Sequence, residues 1–137
     1  MILSKAIGLT NVGLWAWALW RLTSNQDTKP FVKLLMLSIA VDFLKRGFRH
    51  PRPKSAKACD ALGIGGPSLT FGMPSGHVAT AVAGWYMLAE SLGFNPMVAA
   101  LLAGLSMGWA RVDAGCHTPL QSLMGGLFGW LVASTKI

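Results

Sequence analysis

Three short stretches of this chain carry residue types that could do chemistry: K-R-G-F-R-H-P-R-P at Lys45 to Pro53, P-S-G-H at Pro74 to His77, and A-R-V-D-A-G-C-H at Ala110 to His117. They hold all three histidines of the sequence and much of its positive charge. Hydrolysis of a phosphate ester needs its equatorial oxygens neutralised, a nucleophile in line with the leaving oxygen, and an acid to protonate that oxygen. Lys45, Arg52 and Arg111 offer permanent charge, the guanidinium forks matching phosphate oxygens and the lysine acting as a point charge. Ser75 and Gly76 stand where a helix is expected to open. Its unpaired N–H groups and dipole favour an anion there, and glycine allows close approach. Of the two histidines His77 and His117, one can attack phosphorus while the other, protonated, serves the leaving group.

Neither role calls for a metal or a cofactor. Asp60 and Asp113 stand alone, so no acidic cluster able to hold magnesium is expected, and Cys59 and Cys116 lack the spacing to histidine of a zinc site. Both cysteines are expected to be simple thiols. A pairing between them requires that their loops meet in an oxidising compartment.

The elements that must position these groups are apolar. Hydrophobic residues make up 53% of the 137-residue chain and charged residues 12%, against about 25% charged in an average soluble fold. The expected class is all-α: an integral, multi-pass membrane bundle of about five transmembrane helices forming a single domain over residues 1–137. The helices are expected near 6–22, 31–48, 76–92, 96–110 and 119–133, each close to the roughly 20 residues that cross a bilayer. Met1 to Ala6 offers a single Lys5 and no convincing cleavable signal, so the run after it reads as the first span. Trp15, Trp17 and Trp20 are expected as interfacial anchors, and Lys33 is expected to snorkel outward. Gly104 with Gly108 and Gly125 with Gly129 recur four apart, which suits close helix packing rather than signalling a dimer. A homo-oligomer is left open.

The net charge of +7 would suit nucleic acid, anionic lipid or a phosphorylated substrate. Basic residues are missing from most of the apolar segments, which argues against a nucleic-acid face. If the five segments alternate across a membrane, the end of the second, the start of the third, the end of the fourth and the start of the fifth share one side. That places Lys45, Arg52, Ser75, His77, Arg111 and His117 together at the membrane interface. A positive-inside bias would explain the lysines but not the histidines.

These residues resemble the type 2 phosphatidic acid phosphatase family, related to vanadium haloperoxidases, whose signature is K-x-x-x-x-x-x-R-P, then P-S-G-H, then S-R-x-x-x-x-x-H-x-x-x-D. Lys45 with Arg52-Pro53, then Pro74 to His77, then Arg111 with His117 match it in order, over a core of about residues 45–126. The resemblance implies a helical bundle, a covalent phosphohistidine at His117, leaving-group protonation by His77, and hydrolysis without metal. Substrate phosphate would be held by Lys45, Arg52, Ser75, Gly76 and Arg111.

Two positions depart from the signature: Ala110 replaces its serine and Gln121 its final aspartate. In the family pattern that aspartate accepts the second ring N–H of the nucleophilic histidine. Gln121 completes the expected catalytic set as a neutral orienting group, accepting the same bond through its amide oxygen. On that reading Gln121→Asp retains or raises turnover. G-M-P-S-G-H followed by H-T-P-L-Q is similar to the dolichyl diphosphatase branch, which implies a polyprenyl diphosphate substrate, with phosphatidic acid or phosphatidylglycerophosphate as the alternative. A catalytically idle protein binding anionic lipid is the rival from another class.

Other groups have plainer expectations. His50 reads as a surface or headgroup residue. Asp42 can pair with Lys45 or Arg46 on a helix, with the positioning of Lys45 as its expected job. Asp113 is expected to hold a turn or an arginine. The stretch from Lys54 to Gly72 is long for a bare connection, which suits a gate for a lipid headgroup or a disordered loop.

Overall fold

The computed structural model describes residues 2–24, 27–51 and 72–136. These form five α-helices and no strand: α1 Ile2–Ser24, α2 Lys29–Phe48, α3 Gly76–Leu92, α4 Pro96–Asp113 and α5 Pro119–Ser134. Arg52, Lys54, Lys57, Cys59, Asp60 and the expected gate up to Phe71 lie outside the described residues.

The helix starts follow from local chemistry. Ser75 caps α3, its Oγ accepting from Val78 N at 3.3 Å, and Asn95 caps α4 through Met97 N and Val98 N. Pro96 and Pro119 take the first positions of α4 and α5, where a missing N–H costs nothing. α2 ends at Arg49, which adopts a left-handed conformation at φ 50° and donates its N–H to Lys45 O. That turn sends His50 back toward the other helices.

α3 is the central helix and packs against all the others. Its run of alanine and valine is buried on nearly every side, as a helix apolar all round must be. Ala79, Ala83 and Met87 meet Leu34, Leu37 and Val41 of α2 and Ala18 of α1, while Val78 and Val82 meet Ala100 and Met107 of α4. The glycines of α5 face this helix at close range. A Cβ on Gly129 would lie 2.9 Å from Ala79 Cα, and one on Gly125 would lie 3.1 Å from Ser75 N. On α4, a Cβ on Gly104 would meet Val82 at 3.2 Å and one on Gly108 would meet Ser122 at 3.6 Å. Their spacing therefore serves packing within the chain.

Of the helices, α1 is long and apolar enough to cross a membrane. The others are shorter, as in α3 with 17 residues and α5 with 16, or carry more charge, as in α2. Five spans are thus not established by length and composition alone.

Several side chains go elsewhere than expected. Lys33 turns inward instead of snorkelling: it is buried, and its Nζ donates to the carbonyls of Ala133 at 2.9 Å and Thr135 at 2.7 Å. The C-terminal carbonyls of α5 lack partners within their own helix and carry the negative end of its dipole, so an ammonium is attracted there. Asp42 pairs with Arg46 at 3.0 Å on the surface, not with Lys45, because Lys45 points into the bundle. Trp15 packs edge-on against Phe31, with ring centroids 5.8 Å apart, whereas Trp20 remains exposed. Cys116 is buried and disulfide-bonded rather than a simple thiol. The other cysteine of the sequence, Cys59, lies outside the described residues.

Candidate active site

One end of the bundle gathers Lys45, Ser75, His77, Arg111 and His117, and the backbone explains how. Residues 72–75 form a strap between α2 and α5. At one end Gly72 N donates to His50 O at 2.8 Å, and at the other Ser75 N donates to Gln121 O at 3.1 Å. The Met73–Pro74 peptide within it is cis. The strap therefore delivers the first turn of α3, with Ser75, Gly76 and His77, against the first turn of α5.

Lys45, Ser75, Arg111, His117 and Gln121 are all buried, none more than 7% exposed, and His77 is partly buried. Lys45 Nζ lies 3.9 Å from the position a Cβ on Gly76 would occupy, so the ammonium stands at the opening of α3, where N–H groups and dipole also favour an anion. Ser75 Oγ accepts the capping bond from Val78 N, which leaves its own proton free to donate. Arg111, in the last turn of α4, reaches toward α1, its Nη1 3.4 Å from a Cβ position on Gly8. His117 follows a tight turn at Gly115, where φ is 74°. Arg52 lies outside the described residues.

His117 Nδ1 lies 3.0 Å from the Gly72 carbonyl oxygen. A carbonyl can only accept, so Nδ1 carries the proton and the lone pair of the neutral ring sits on Nε2. This corrects the expectation for Gln121, whose amide does not orient His117. Its Oε1 accepts from Thr118 N at 3.0 Å, while Thr118 Oγ1 accepts from Gln121 N at 3.2 Å, a reciprocal capping box at the start of α5. Its Nε2 donates to Pro51 O at 2.8 Å and lies 2.6 Å from His50 Nδ1. The helical spacing that in the family signature sets an aspartate behind the last histidine here points the side chain at residues 50–51 instead. His50 correspondingly belongs to this network and not to the outer surface.

α1, outside the span of the recognised motifs, frames the site. Ser4 Oγ donates to Asp113, Asn11 Nδ2 donates to His77 O at 3.0 Å, and Gly8 leaves room for Arg111. Ser4, Gly8, Asn11, Leu14 and Ala18 form one buried stripe at helical spacing. That spacing of small and polar residues is the sequence signal for a buried face of α1, and it lies outside the motif stretches. Asp113 thus holds α1 through Ser4.

Among the described residues no group of His, Cys, Asp and Glu could hold a metal ion. An open apolar groove of about 640 Å³ runs between α4 and α5 over α3, from Val112 and Pro119 near this end to Met97 and Trp130 at the other.

A family model described as the PAP2 superfamily matches residues 28–135, from just before α2 to just past the end of α5. No curated protein and no solved structure matches the chain. The match takes in the described residues of all three motif stretches, His77 and His117 included, and the chain belongs to the PAP2 superfamily.

Proposed function

We propose that the protein is a multi-pass integral membrane phosphatase that hydrolyses a lipid-linked phosphate or diphosphate through a phosphohistidine at His117. What supports this reading is the burial of Lys45, Ser75, Arg111 and His117 at one end of the bundle, with Lys45 Nζ beside the opening of α3 and Nδ1 of His117 turned to the Gly72 carbonyl. Two cations, a hydroxyl donor and one imidazole together concentrate positive potential and a nucleophile on a tetrahedral anion.

In the first step Nε2 of His117 attacks phosphorus and the bond to the leaving oxygen breaks. Protonated His77 transfers its proton to that oxygen. In the second, water loses a proton to His77 and attacks the phosphohistidine. The P–N bond breaks, inorganic phosphate leaves, and both imidazoles return to their starting states. Lys45 and Arg111, joined by Arg52, neutralise the equatorial oxygens, and the α3 N–H groups with the Ser75 hydroxyl donate to them. No step calls on a metal.

The apolar exterior supports the membrane setting. Leu101, Leu102 and Leu105 of α4 and Leu123, Leu127 and Leu131 of α5 are about half exposed or more, a lipid-like surface on helices shorter than an ideal span. The groove between these two helices suits an apolar tail. Polyprenyl diphosphate is the favoured substrate, on the H-T-P-L-Q pattern at His117 to Gln121, with phosphatidic acid or phosphatidylglycerophosphate next.

The test is phosphate release by purified protein in EDTA from these three lipids, with His117→Ala alongside. Release from polyprenyl diphosphate, abolished by His117→Ala, is expected. Turnover that survives in His117→Ala, or that requires a divalent cation, would overturn the reading. Lipid binding with neither turnover nor acid-labile phosphohistidine would instead identify an anionic-lipid binder.

A further inference from the structure

Gln121 stands where the family signature has an aspartate, and its hydrogen bonds say what it does in place of one. Its carboxamide is fully committed. Oε1 accepts from Thr118 N, and the two Nε2 protons are directed at Pro51 O and His50 Nδ1. The reversed orientation would set oxygen against the Pro51 carbonyl and an NH2 against the Thr118 N–H, so the assignment follows from the partners. An amide nitrogen has no lone pair to offer. His50 Nδ1 must therefore accept, which puts that ring's proton on Nε2. The two histidines hold opposite tautomers, Nε2–H in His50 and Nδ1–H in His117.

Gly72 joins them. Its N–H donates to His50 O, its carbonyl accepts from His117 Nδ1, and it sits flat on the Gln121 amide, where a Cβ would lie 2.5 to 2.7 Å from the amide atoms. Pro51 and His50 are gripped by Gln121, His50 grips Gly72, and Gly72 orients His117.

We propose that His50 and Gln121 form a positioning clamp that holds the Gly72 carbonyl against His117, so that a backbone oxygen takes over the orienting task of the signature's aspartate. The inference rests on His117 being the nucleophile, and it gives that task to a neutral acceptor that cannot be titrated away. A carboxylate at 121 is then unfavourable, because it loses both donors and faces the Pro51 carbonyl. Gln121→Asp, which also shortens the side chain, is expected to lower turnover, the reverse of what an orienting glutamine predicts.

The experiment reads ring-nitrogen chemical shifts of 15N-histidine-labelled protein in detergent, together with kcat and KM. The wild type is expected to show His117 as the Nδ1–H tautomer and His50 as Nε2–H. Gln121→Leu and His50→Ala should each shift His117 away from a single tautomer. Each should lower kcat about 100-fold, the scale of an ångström-sized misplacement of a reacting group, with little change in KM. The double variant should lose no more than Gln121→Leu alone. His50→Asn, whose Oδ1 can accept from Gln121 Nε2, should recover part of the loss. Helical content and thermal unfolding followed in parallel separate a broken clamp from a broken fold. A His117 tautomer unmoved by both single variants, additive losses, or higher turnover in Gln121→Asp would overturn the clamp. Turnover surviving in His117→Ala, while the wild type still shows the expected tautomers and both single variants still shift them, would instead sink the phosphohistidine reading, leaving His50 and Gln121 to orient the His117 ring without a catalytic consequence.

Discussion

His117 Nδ1 donates to the carbonyl of Gly72 at 3.0 Å, and this contact joins the last of the three motif stretches to the residue two positions before the second. A single residue thus orients the His117 ring. Gly72 has no tolerance for a side chain, since a Cβ would lie within 2.7 Å of three atoms of the Gln121 amide. Gly72→Ala is expected to push the strap off Gln121 and lower kcat about 100-fold, with a smaller effect on KM. Steady-state kinetics on the purified variant check this, and a kcat within twofold of wild type would contradict it.

The contact of α5 with α3 should be equally intolerant. A Cβ on Gly129 would press on the Ala79 backbone, which belongs to the central helix and cannot move aside as a flexible side chain could. Gly129→Ala is expected to destabilise the protein by about 1–3 kcal/mol, the usual cost of overpacking. Thermal unfolding in detergent should show a lowered midpoint. An unchanged midpoint would mean that the two helices are looser than this packing implies.

Lys33 ties α2 to the end of α5 by donating to two carbonyls. Lys33→Met keeps the apolar stem and removes the donors, leaving the carbonyls of Ala133 and Thr135 without that partner. A loss of about 1–3 kcal/mol is expected. Faster hydrogen exchange confined to the last turn of α5 would locate it.

Between α1 and α2, Arg21 donates to the Asp27 carboxylate at 2.6 Å and holds its carboxyl below the ordinary value of 3.8, against an opposing contribution from burial and with the Lys29 N–H adding less. A lowered folded-state pKa contributes stability that is complete above the ordinary value and is lost as pH falls through the lower one. Asp27→Asn should therefore be less stable than wild type at neutral pH. The gap should close in strong acid. Unfolding midpoints compared across pH check the sign, and a gap that widened toward acid would refute it.

Cys116 precedes His117 and is disulfide-bonded. Disulfides persist in oxidising compartments, so the end of the bundle carrying His117 is expected on the oxidising side of the membrane. In intact cells Cys116 should resist alkylation by an impermeant maleimide until an impermeant reductant is added. Labelling without reductant would disprove the bond.

How much of this was legible in the sequence differs from residue to residue. The helical class and the start of each motif helix could be read locally, because Pro96, Pro119 and the Ser75 cap act on their own backbone within a turn. α3 runs over Gly76–Leu92, the span expected from its flanking turn residues, whereas α1 extends further at both ends because apolar periodicity does not mark where a helix frays. The gathering of Lys45, Ser75, His77, Arg111 and His117 at one end followed from counting alternating segments. The role of α1 did not follow, because Ser4, Gly8 and Asn11 matter only through what lies opposite them.

What the sequence alone determined is the inventory: a largely apolar chain, five helices with their punctuation, and cations and imidazoles at ordered spacings. These are properties of near neighbours, set by propensity, caps and hydrophobic pattern. Tertiary structure alone decided the partners. Gln121 could have faced either His117 or His50 from the same place on α5, and Lys33 could have reached water or the end of a distant helix. Such choices depend on which donor and acceptor meet at about 3 Å across elements far apart in the chain, and spacing along a sequence carries no record of that distance.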